Sequence, residues 1–388
     1  MLYHYITIFF RNLKRQKLYA TFNIIGLSIG LTTFILIALL VQYENNFDKF
    51  HNKLDRIYRI EEIAHMTDGD QLWSQTCYPI AENFKTEFPE IEDAVVTRPV
   101  WGDYLSSSEK LTFFEPDGLY ASDALFNIFT FEFIEGNMAS ALIEPSSIVL
   151  TDELARKYFP DGKAIGQMVT IRKQFPFKVT GIIRKLPDQS TLQPSYICSI
   201  EGLNKIDKVG LEDNWNNYSY HTYVLLQEES QAINFESKIA DYMLDKDEKT
   251  KGTMQLRPFS IIHMRPSNIG GMYLLVVLYS MVAGLALFIA AINFINLITA
   301  YAETRGKEIG IKKVLGGRRT TLFFQFIIET VTLSLISVFL AFLLSEISLP
   351  LFNRIVDRQL DIQYIQNIEF VLIIVGVALI IGFLAGIY

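Results

Sequence analysis

The sequence predicts an α-helical membrane protein with four transmembrane helices and a large α+β extracytoplasmic domain inserted between helices 1 and 2. Half of its 388 residues are hydrophobic, and the mean hydropathy is +0.23. Four apolar runs are long enough to cross a bilayer core of about 30 Å, and the stretch between the first two holds none. The formal net charge of −7 gives no reason to expect nucleic-acid binding.

The chain starts with a basic segment that leads into the first span. Residues 1–20 carry basic but no acidic side chains, and their apolar residues recur at helical spacing, which predicts a cytoplasmic amphipathic segment. Residues 21–42 predict an uncleaved transmembrane helix, because a polar stretch follows the apolar run where a signal peptide would have a small-residue cleavage site. Gly26 and Gly30 form a small-xxx-small pair that favours close helix packing.

Residues 43–270 predict a separate α+β domain, long enough to bury its own core. Thr151 is a predicted N-cap, because Asp152 and Glu153 follow in what would be the first helical turn. Strands are predicted by alternating or apolar segments at 147–150, 169–172, 177–183 and 220–226.

No catalytic, cofactor-binding or metal site is predicted in this insert. It has no Gly-rich phosphate loop and no G-x-S-x-G motif. Its histidines have no paired metal-ligand spacing and are interpreted as structural or surface residues: His51, His65, His221 and His263.

The two cysteines and the acidic residues near the start of the insert are the other side chains of interest in this region. Cys77 and Cys198 share an oxidising compartment, so a disulfide between them is one alternative, but the sequence does not place them together. The acidic residues just after the first span are interpreted as a solvated surface: Asp48, Asp55, Glu61 and Glu62.

The C-terminal part predicts transmembrane helices at 272–300, 321–345 and 370–388, with a short external loop at 346–369. Asn293 and Asn296 lie on one face of the second span and are expected to face other helices. Gly382 and Gly386 are spaced for close packing in the fourth span. Because the chain stops at Tyr388 with no polar anchor after this span, we expect it to be part of a longer chain.

The loop at 301–320 is a short basic island between two spans. Its excess of Lys and Arg over Glu303 and Glu308 places it in the cytoplasm by the positive-inside rule. Glu308 and Lys312 are spaced for an ion pair on a helix, beside an apolar ridge. The segment is therefore either a helix that a soluble partner binds or a solvated connector.

The sequence RGKEIGIKKVLGG at 305–317, together with this layout, resembles the MacB/FtsX superfamily of ABC-transporter permeases. Segments 47–61, 147–171 and 177–187 also look like the periplasmic core domain of that family. The chain resembles the N-terminal half of the duplicated, Bacteroidetes-type permeases. The loop positions that match the family pattern are Lys307, Glu308, Ile309, Gly310, Ile311, Lys312, Lys313, Val314, Leu315 and Gly316.

This resemblance implies a mechanotransmission permease in the bacterial inner membrane, with a cytoplasmic N-terminus and a periplasmic large domain. The implied partners are a cytoplasmic ABC ATPase dimer that binds the ATP, a second permease unit, membrane lipid, and a periplasmic adaptor or outer-membrane component. The chain has no Walker A sequence and is not expected to be an enzyme. The implied ATPase-coupling residues are Glu303, Arg305, Lys307, Glu308, Ile309, Gly310, Ile311, Lys312, Lys313, Leu315 and Gly316.

The alternative function is a transmembrane sensor whose external domain binds a ligand and signals inward. A sensor is expected to carry a cytoplasmic output domain, and no segment of this sequence predicts one. Neither interpretation identifies the cargo. The resemblance to the family implies an antibiotic, a peptide or a lipoprotein as candidates.

Overall fold

The computed structural model describes residues 17–66, 69–108, 111–207, 215–244, 252–266, 271–304, 314, 319–365 and 367–387. The chain divides into two compact units. Met1–Asn45 and Leu274–Tyr388 form one of them, here called the helical unit, and Asn46–Tyr273 form the other, the sheet domain. The sheet domain is thus an insertion between the first two long helices.

Four of the described helices are long and apolar enough to cross a membrane, namely the first and the last three along the chain. In the helical unit the third of these long helices packs against both the first and the fourth. In chain order the described helices are α1 (Lys17–Asn45), α2 (Ile80–Glu87), α3 (Leu125–Ile128), α4 (Asp152–Tyr158), α5 (Leu203–Asp207), α6 (Ala232–Ile239), α7 (Met272–Thr304), α8 (Arg319–Val356) and α9 (Ile368–Ile387).

Helix α8 is longer than the sequence predicts. It continues to Val356 with Pro350 inside it, so the prediction of a loop starting at residue 346 is wrong. Proline removes one backbone hydrogen bond from a helix, which usually ends or kinks it. Here Leu349 is buried in the core of the helical unit, and Phe352 and Val356 pack against that core. Packing on both sides of the proline therefore offsets the lost bond.

The described strands of the sheet domain form one 13-stranded mixed sheet. Its order is β13-β1-β12-β3-β6-β11-β8-β10-β9-β4-β5, with β2 beside β1 and β7 beside β10; β8–β10 and β6–β11 are parallel pairs. The strands are β1 (Ile57–Met66), β2 (Gly69–Trp73), β3 (Ile91–Val100), β4 (Asp103–Ser108), β5 (Leu111–Glu115), β6 (Gly118–Ala121), β7 (Phe133–Gly136), β8 (Ser147–Thr151), β9 (Met168–Ile171), β10 (Phe175–Ile183), β11 (Tyr196–Ser199), β12 (His221–Leu226) and β13 (Thr253–Pro258).

The central strands are buried on both faces of this sheet. Successive side chains of a strand point to opposite faces. On β12, Val224 and Leu226 belong to one hydrophobic core, whereas Tyr223 and Leu225 belong to a second core. The domain therefore has a separate apolar core on each side of the sheet.

The predicted strand at 147–150 and the predicted helix N-cap after it are both present in the structure. The segment at 147–150 is a strand, and the Thr151 hydroxyl accepts a hydrogen bond from the Leu154 amide at 3.3 Å, which confirms the predicted N-cap. Cys77 and Cys198 are both buried, and this structure has no disulfide between them.

Candidate functional site

The predicted coupling segment is framed by two long helices. Glu303 lies in the last turn of α7, and α8 starts at Arg319. The other predicted coupling residues lie outside the described residues: Arg305, Lys307, Glu308, Ile309, Gly310, Ile311, Lys312, Lys313, Leu315 and Gly316. The structure does describe the end of α7, from which this segment continues, and the part of α1 that packs against it.

An aromatic stack joins α1 and α7 where the coupling segment begins. The rings of Tyr19 and Tyr301 are parallel to within 20°, and their centroids are 4.1 Å apart. Tyr301 lies three residues before the end of α7. The stack therefore holds the end of α7, from which the basic loop continues, against the first turn of α1.

A second contact joins the same two helices deeper in the helical unit. A Cβ atom added at Gly30 would overlap the Cβ of Ala290. Glycine therefore allows α1 and α7 to approach more closely than any larger residue would. Gly26, the other half of the predicted pair, has nothing within 4 Å of that position among the described residues.

The glycines of α9 pack against α8. A Cβ at Gly382 would lie 2.9 Å from the Cα of Val331, and one at Gly386 would lie 2.9 Å from the Cα of Ile327. Both positions are tighter than ordinary van der Waals contact, so a larger residue would separate the two helices. The four-residue spacing of the glycines matches the spacing of their partners on α8.

A polar seam between α1 and α8 was not predicted. The Ser28 hydroxyl donates a hydrogen bond to the Ser337 carbonyl at 3.0 Å, and the Thr32 hydroxyl donates to the Ala341 carbonyl at 3.2 Å. Both hydroxyls also contact carbonyls of their own helix. The i,i+4 spacing of Ser28 and Thr32 is the sequence signal that would have indicated this seam.

Asn293 and Asn296 are both exposed on α7 in the described structure. They share this exposed face with apolar side chains such as Phe288 and Ile292. The predicted contact with other helices is therefore not made within the described chain, and two polar side chains remain on an otherwise apolar surface.

A buried ion pair lies at the opposite end of α1. The Arg358 Nε donates to the Glu44 carboxylate at 3.1 Å, and the side chain of Glu44 is only 2% exposed. Arg358 lies two residues after the end of α8, so this pair connects the end of α8 to the end of α1. The sequence pattern gave no indication of this pair, because the two residues are far apart in the chain.

The acidic residues near the start of the sheet domain are not a uniformly solvated surface, and that interpretation is wrong. Glu61 and Glu62 are fully buried and Asp48 is 1% exposed, whereas Asp55 is exposed. Burial of a carboxylate is tolerated when cations and hydrogen-bond donors surround it. The structure provides such groups around Glu61 and Asp48.

Glu61 bridges two arginines on neighbouring strands. Arg59 and Arg257 face each other across β1 and β13, where two like charges are unfavourable. Arg59 Nε donates to one oxygen of Glu61 at 3.1 Å, and Arg257 Nε donates to the other at 2.6 Å. Gln255 donates to the second oxygen as well, at 3.1 Å. The carboxylate thus neutralises a repulsive pair inside the domain.

Asp48 and His51 connect the start of the sheet domain to two of its loops. The Asp48 carboxylate accepts hydrogen bonds from the Thr191 amide at 2.7 Å and from the Thr191 hydroxyl. His51 Nδ1 accepts from the Thr130 amide at 3.1 Å. Burial raises the pKa of Asp48, although the bonds from Thr191 oppose that shift, and burial lowers the pKa of His51 to about 4.

Two protein families match this chain. The MacB-like periplasmic core domain matches residues 20–242, and the FtsX-like permease C-terminal domain matches residues 280–388. Together they account for the long first helix, the inserted sheet domain and the three helices after it.

The chain belongs to the MacB/FtsX family of ABC-transporter permeases.

Curated relatives include ABC-transporter proteins of several bacteria. An uncharacterized ABC transporter permease of Bacillus subtilis, YvrN, is 23% identical over 353 residues, which are 86% of this chain and 84% of the relative. The macrolide export ATP-binding/permease protein MacB of Neisseria gonorrhoeae is 26% identical over 245 residues, 62% of this chain. The match covers only 36% of that MacB protein's length.

Solved structures of external domains are also similar to this chain. A permease domain from Porphyromonas gingivalis is 20% identical with a TM-score of 0.47, covering 54% of this chain and 92% of that domain. The periplasmic region of MacB from Actinobacillus actinomycetemcomitans is 12% identical with a TM-score of 0.41, covering 56% and 94%.

These findings identify an inner-membrane permease component of an ABC transporter, which is not itself the ATPase. Members of this family work with a cytoplasmic ATPase. The four apolar helices of the helical unit and the periplasmic-type sheet domain are the two parts of this permease.

Proposed function

We propose that this permease is a mechanotransmission subunit: ATP-driven movement of a separate cytoplasmic ATPase dimer is passed through its helices to its periplasmic sheet domain. The observation that carries the proposal is the double contact between α1 and α7, at Gly30 with Ala290 and at Tyr19 with Tyr301. These two helices lead directly into and out of the sheet domain along the chain.

In this proposal the segment between α7 and α8 docks on the ATPase. Its apolar ridge, which includes Ile311 and Leu315, would supply affinity, and charges such as Glu308 and Lys312 would fix the register. The Tyr19–Tyr301 stack transmits a displacement of this segment to α1 as well as to α7. A displacement of the segment would then reach both helices through these two contacts.

The proposal also includes a second permease unit that packs on α7. Exposed amides in a membrane span are unfavourable toward lipid and favourable toward another helix, with which they form hydrogen bonds. Asn293 and Asn296 are such residues. The second unit is either another copy of this chain or the second half of a longer one.

The cargo class is proposed from the named relatives and the family. One relative is a macrolide exporter by name, so an amphipathic antibiotic is one candidate, beside a peptide or a lipoprotein. A periplasmic adaptor or an outer-membrane component would then receive what the permease delivers.

The test is co-purification of the full chain with its ATPase. We expect Glu308→Lys and Leu315→Asp each to abolish binding, because one reverses a register-fixing charge and the other places a charge on the apolar ridge. Glu229→Lys, the same charge reversal on an exposed residue of the sheet domain, is the control and should bind normally. Full retention by both loop variants would remove the coupling assignment and favour a sensor.

A labelling experiment tests the orientation on which this function depends. A cysteine in place of Lys312 should react only with reagents that enter the cytoplasm. A cysteine in place of Glu229, in the sheet domain, should react from the outside. Reaction of the Lys312 position with an impermeant external reagent would exclude a cytoplasmic coupling segment.

A further inference from the structure

A cavity of about 540 Å³, open on one side, lies in the helical unit between α1, α7 and α9. This volume is within the range of about 300–1,000 Å³ that is typical of small-molecule sites. Its walls are mainly apolar and include Phe34, Ala283 and Ile373. Neither the Gly30–Ala290 contact nor the α8–α9 glycine contacts belong to it.

Three of the four polar side chains that line this cavity lie at one end. The fourth, Ser280, lies about one turn from Ala283 on α7, and its hydroxyl donates to the Val276 carbonyl of the same helix. Gln42 lies three residues before the end of α1, and Glu369 lies in the first turn of α9, with Asn367 just before that helix. Phe34 lies eight residues earlier on α1, which is about 12 Å along a helix axis. Ile373 is about one turn deeper on α9 than Glu369. The site thus has a polar mouth and an apolar floor.

Each part of the cavity restricts what can fill it. Water requires several polar partners, and the floor offers only the Ser280 hydroxyl, which already donates within its own helix, so water is an unfavourable occupant there. An empty void would lose the dispersion contacts of its lining. A flexible hydrocarbon chain fits the floor, and a polar head group fits the mouth. Among the described residues that line the site, Glu369 is the only ionisable one, so the mouth favours a cation.

We propose that this cavity binds one acyl chain of an amine-bearing phospholipid, with the ammonium group of the lipid at the Glu369 carboxylate. Gln42 and Asn367 provide uncharged hydrogen-bonding groups for the rest of the head group. An anionic lipid without an amine is disfavoured, because its phosphate would face Glu369 without compensation. The bound lipid contacts α1 and α7, so it stabilises the same helix pair that the proposed coupling uses.

The test is native mass spectrometry of the purified full chain in detergent, after addition of palmitoyl-oleoyl phosphatidylethanolamine or palmitoyl-oleoyl phosphatidylglycerol. We expect one phosphatidylethanolamine to be retained per chain and about tenfold weaker retention of phosphatidylglycerol. Glu369→Gln should remove this preference while hydrocarbon binding persists. Ala283→Phe should abolish retention, because its ring fills the floor of the cavity.

Two further variants keep the test decisive. Ala300→Phe, the same change on an exposed face of α7 away from the cavity, should retain the lipid normally. If Ala283→Phe does not fold, Ile373→Trp blocks the cavity from α9 at a side chain that is 60% exposed.

Three results would overturn the proposal. Equal retention of the two lipids by the unmodified chain would refute the head-group assignment. Undiminished retention in the blocked variants would show lipid bound only to the outer surface. Cross-linking of two chains through cysteine at position 373, whatever the lipid, would show a second copy in the cavity instead. None of these results depends on ATPase binding, so the coupling proposal is tested separately.

Discussion

At the scale of single residues, the sheet domain contains buried charges with defined roles. Glu61 lies between Arg59 and Arg257, which face each other on adjacent strands. Removing the carboxylate would leave two cations close together in a poorly solvated site. The stability of the domain therefore depends on a residue whose sequence context suggests an exposed surface.

We predict that Glu61→Gln destabilises the sheet domain by about 3–5 kcal/mol, the usual effect of removing one partner from a buried ion pair. Thermal and urea unfolding of the full chain, followed by tryptophan fluorescence, measures this. Glu132→Gln is the matched control, because the Glu132–Arg184 pair is 63% exposed on both sides and contributes about 1 kcal/mol or less. Equal effects of the two substitutions would contradict the bridging role.

His51 gives the domain a pH dependence with a definite sign. Because its folded pKa of about 4 is below the ordinary value of 6.5, its full contribution to stability is present above pH 6.5. That contribution is lost as the pH falls from 6.5 through 4. The shift corresponds to a maximum of about 3 kcal/mol, at about 1.4 kcal/mol for each pH unit.

We therefore expect His51→Asn to flatten the stability profile between pH 6.5 and pH 4. Asparagine retains an acceptor near the Nδ1 position for the Thr130 amide, but it does not titrate. Unfolding temperatures of the unmodified protein and of the His51→Asn variant, measured across this range, provide the comparison. The neighbouring ionisable residue Asp48 is present in both proteins. If the unfolding temperature of the His51→Asn protein falls with pH as steeply as that of the unmodified protein, His51 is not the cause of the pH dependence.

At the scale of elements, the helical unit is held together by small residues and hydroxyl groups rather than by large apolar contacts alone. Gly30 fits against Ala290, Gly382 and Gly386 fit against α8, and Ser28 and Thr32 bond across to α8. Lipid tails are as apolar as leucine, so close approach and hydrogen bonds determine which helix surfaces associate.

We predict that Gly30→Ala weakens coupling, because the new methyl group overlaps the Ala290 Cβ and separates α1 from α7. Stimulation of the partner ATPase by the purified permease is the measurement, and a loss of about tenfold corresponds to about 1.4 kcal/mol. The reciprocal double variant, Gly30→Ala with Ala290→Gly, should restore coupling. Gly26→Ala is the control, since nothing described lies within 4 Å of its Cβ position. Equal losses at Gly26 and Gly30 would show that helix separation is not the cause.

At the scale of the whole molecule, one exposed surface of the helical unit combines polar side chains with apolar ones. The exposed face of α7 carries Asn293 and Asn296 among apolar side chains. A membrane-facing surface without a partner is expected to be apolar throughout. The proposed second permease unit accounts for these amides by hydrogen bonding to them.

We expect the double variant Asn293→Leu, Asn296→Leu to lower association between permease units about threefold to tenfold, given about 0.6 kcal/mol for a typical hydrogen bond between membrane helices. Cross-linking through a cysteine at Ile292 in native membranes reports the association. Thr321→Leu removes an exposed polar group from α8 and should not change the cross-linking yield. Unchanged yield in the α7 variant would indicate that these amides do not face the second unit.

Sequence reasoning was most successful where the physical signal is local. The Thr151 cap and the strand before it depend on neighbouring residues, and the spans depend on long apolar runs. It failed at Pro350, where the local rule against proline was outweighed by packing of the residues on either side of it. It also failed at Glu61, whose arginine on β13 lies far along the chain.

The sequence by itself determined the number of apolar spans, the inserted α+β domain and the family, because length, hydropathy and a contiguous motif are all properties of neighbouring residues. Only the tertiary structure decided that Gly30 rather than Gly26 contacts α7 and that Glu61 is buried between two arginines. It alone revealed a cavity with its carboxylate at one end. Each of these depends on which distant surfaces are brought into contact, and that pairing is determined by packing rather than by the local pattern of residues.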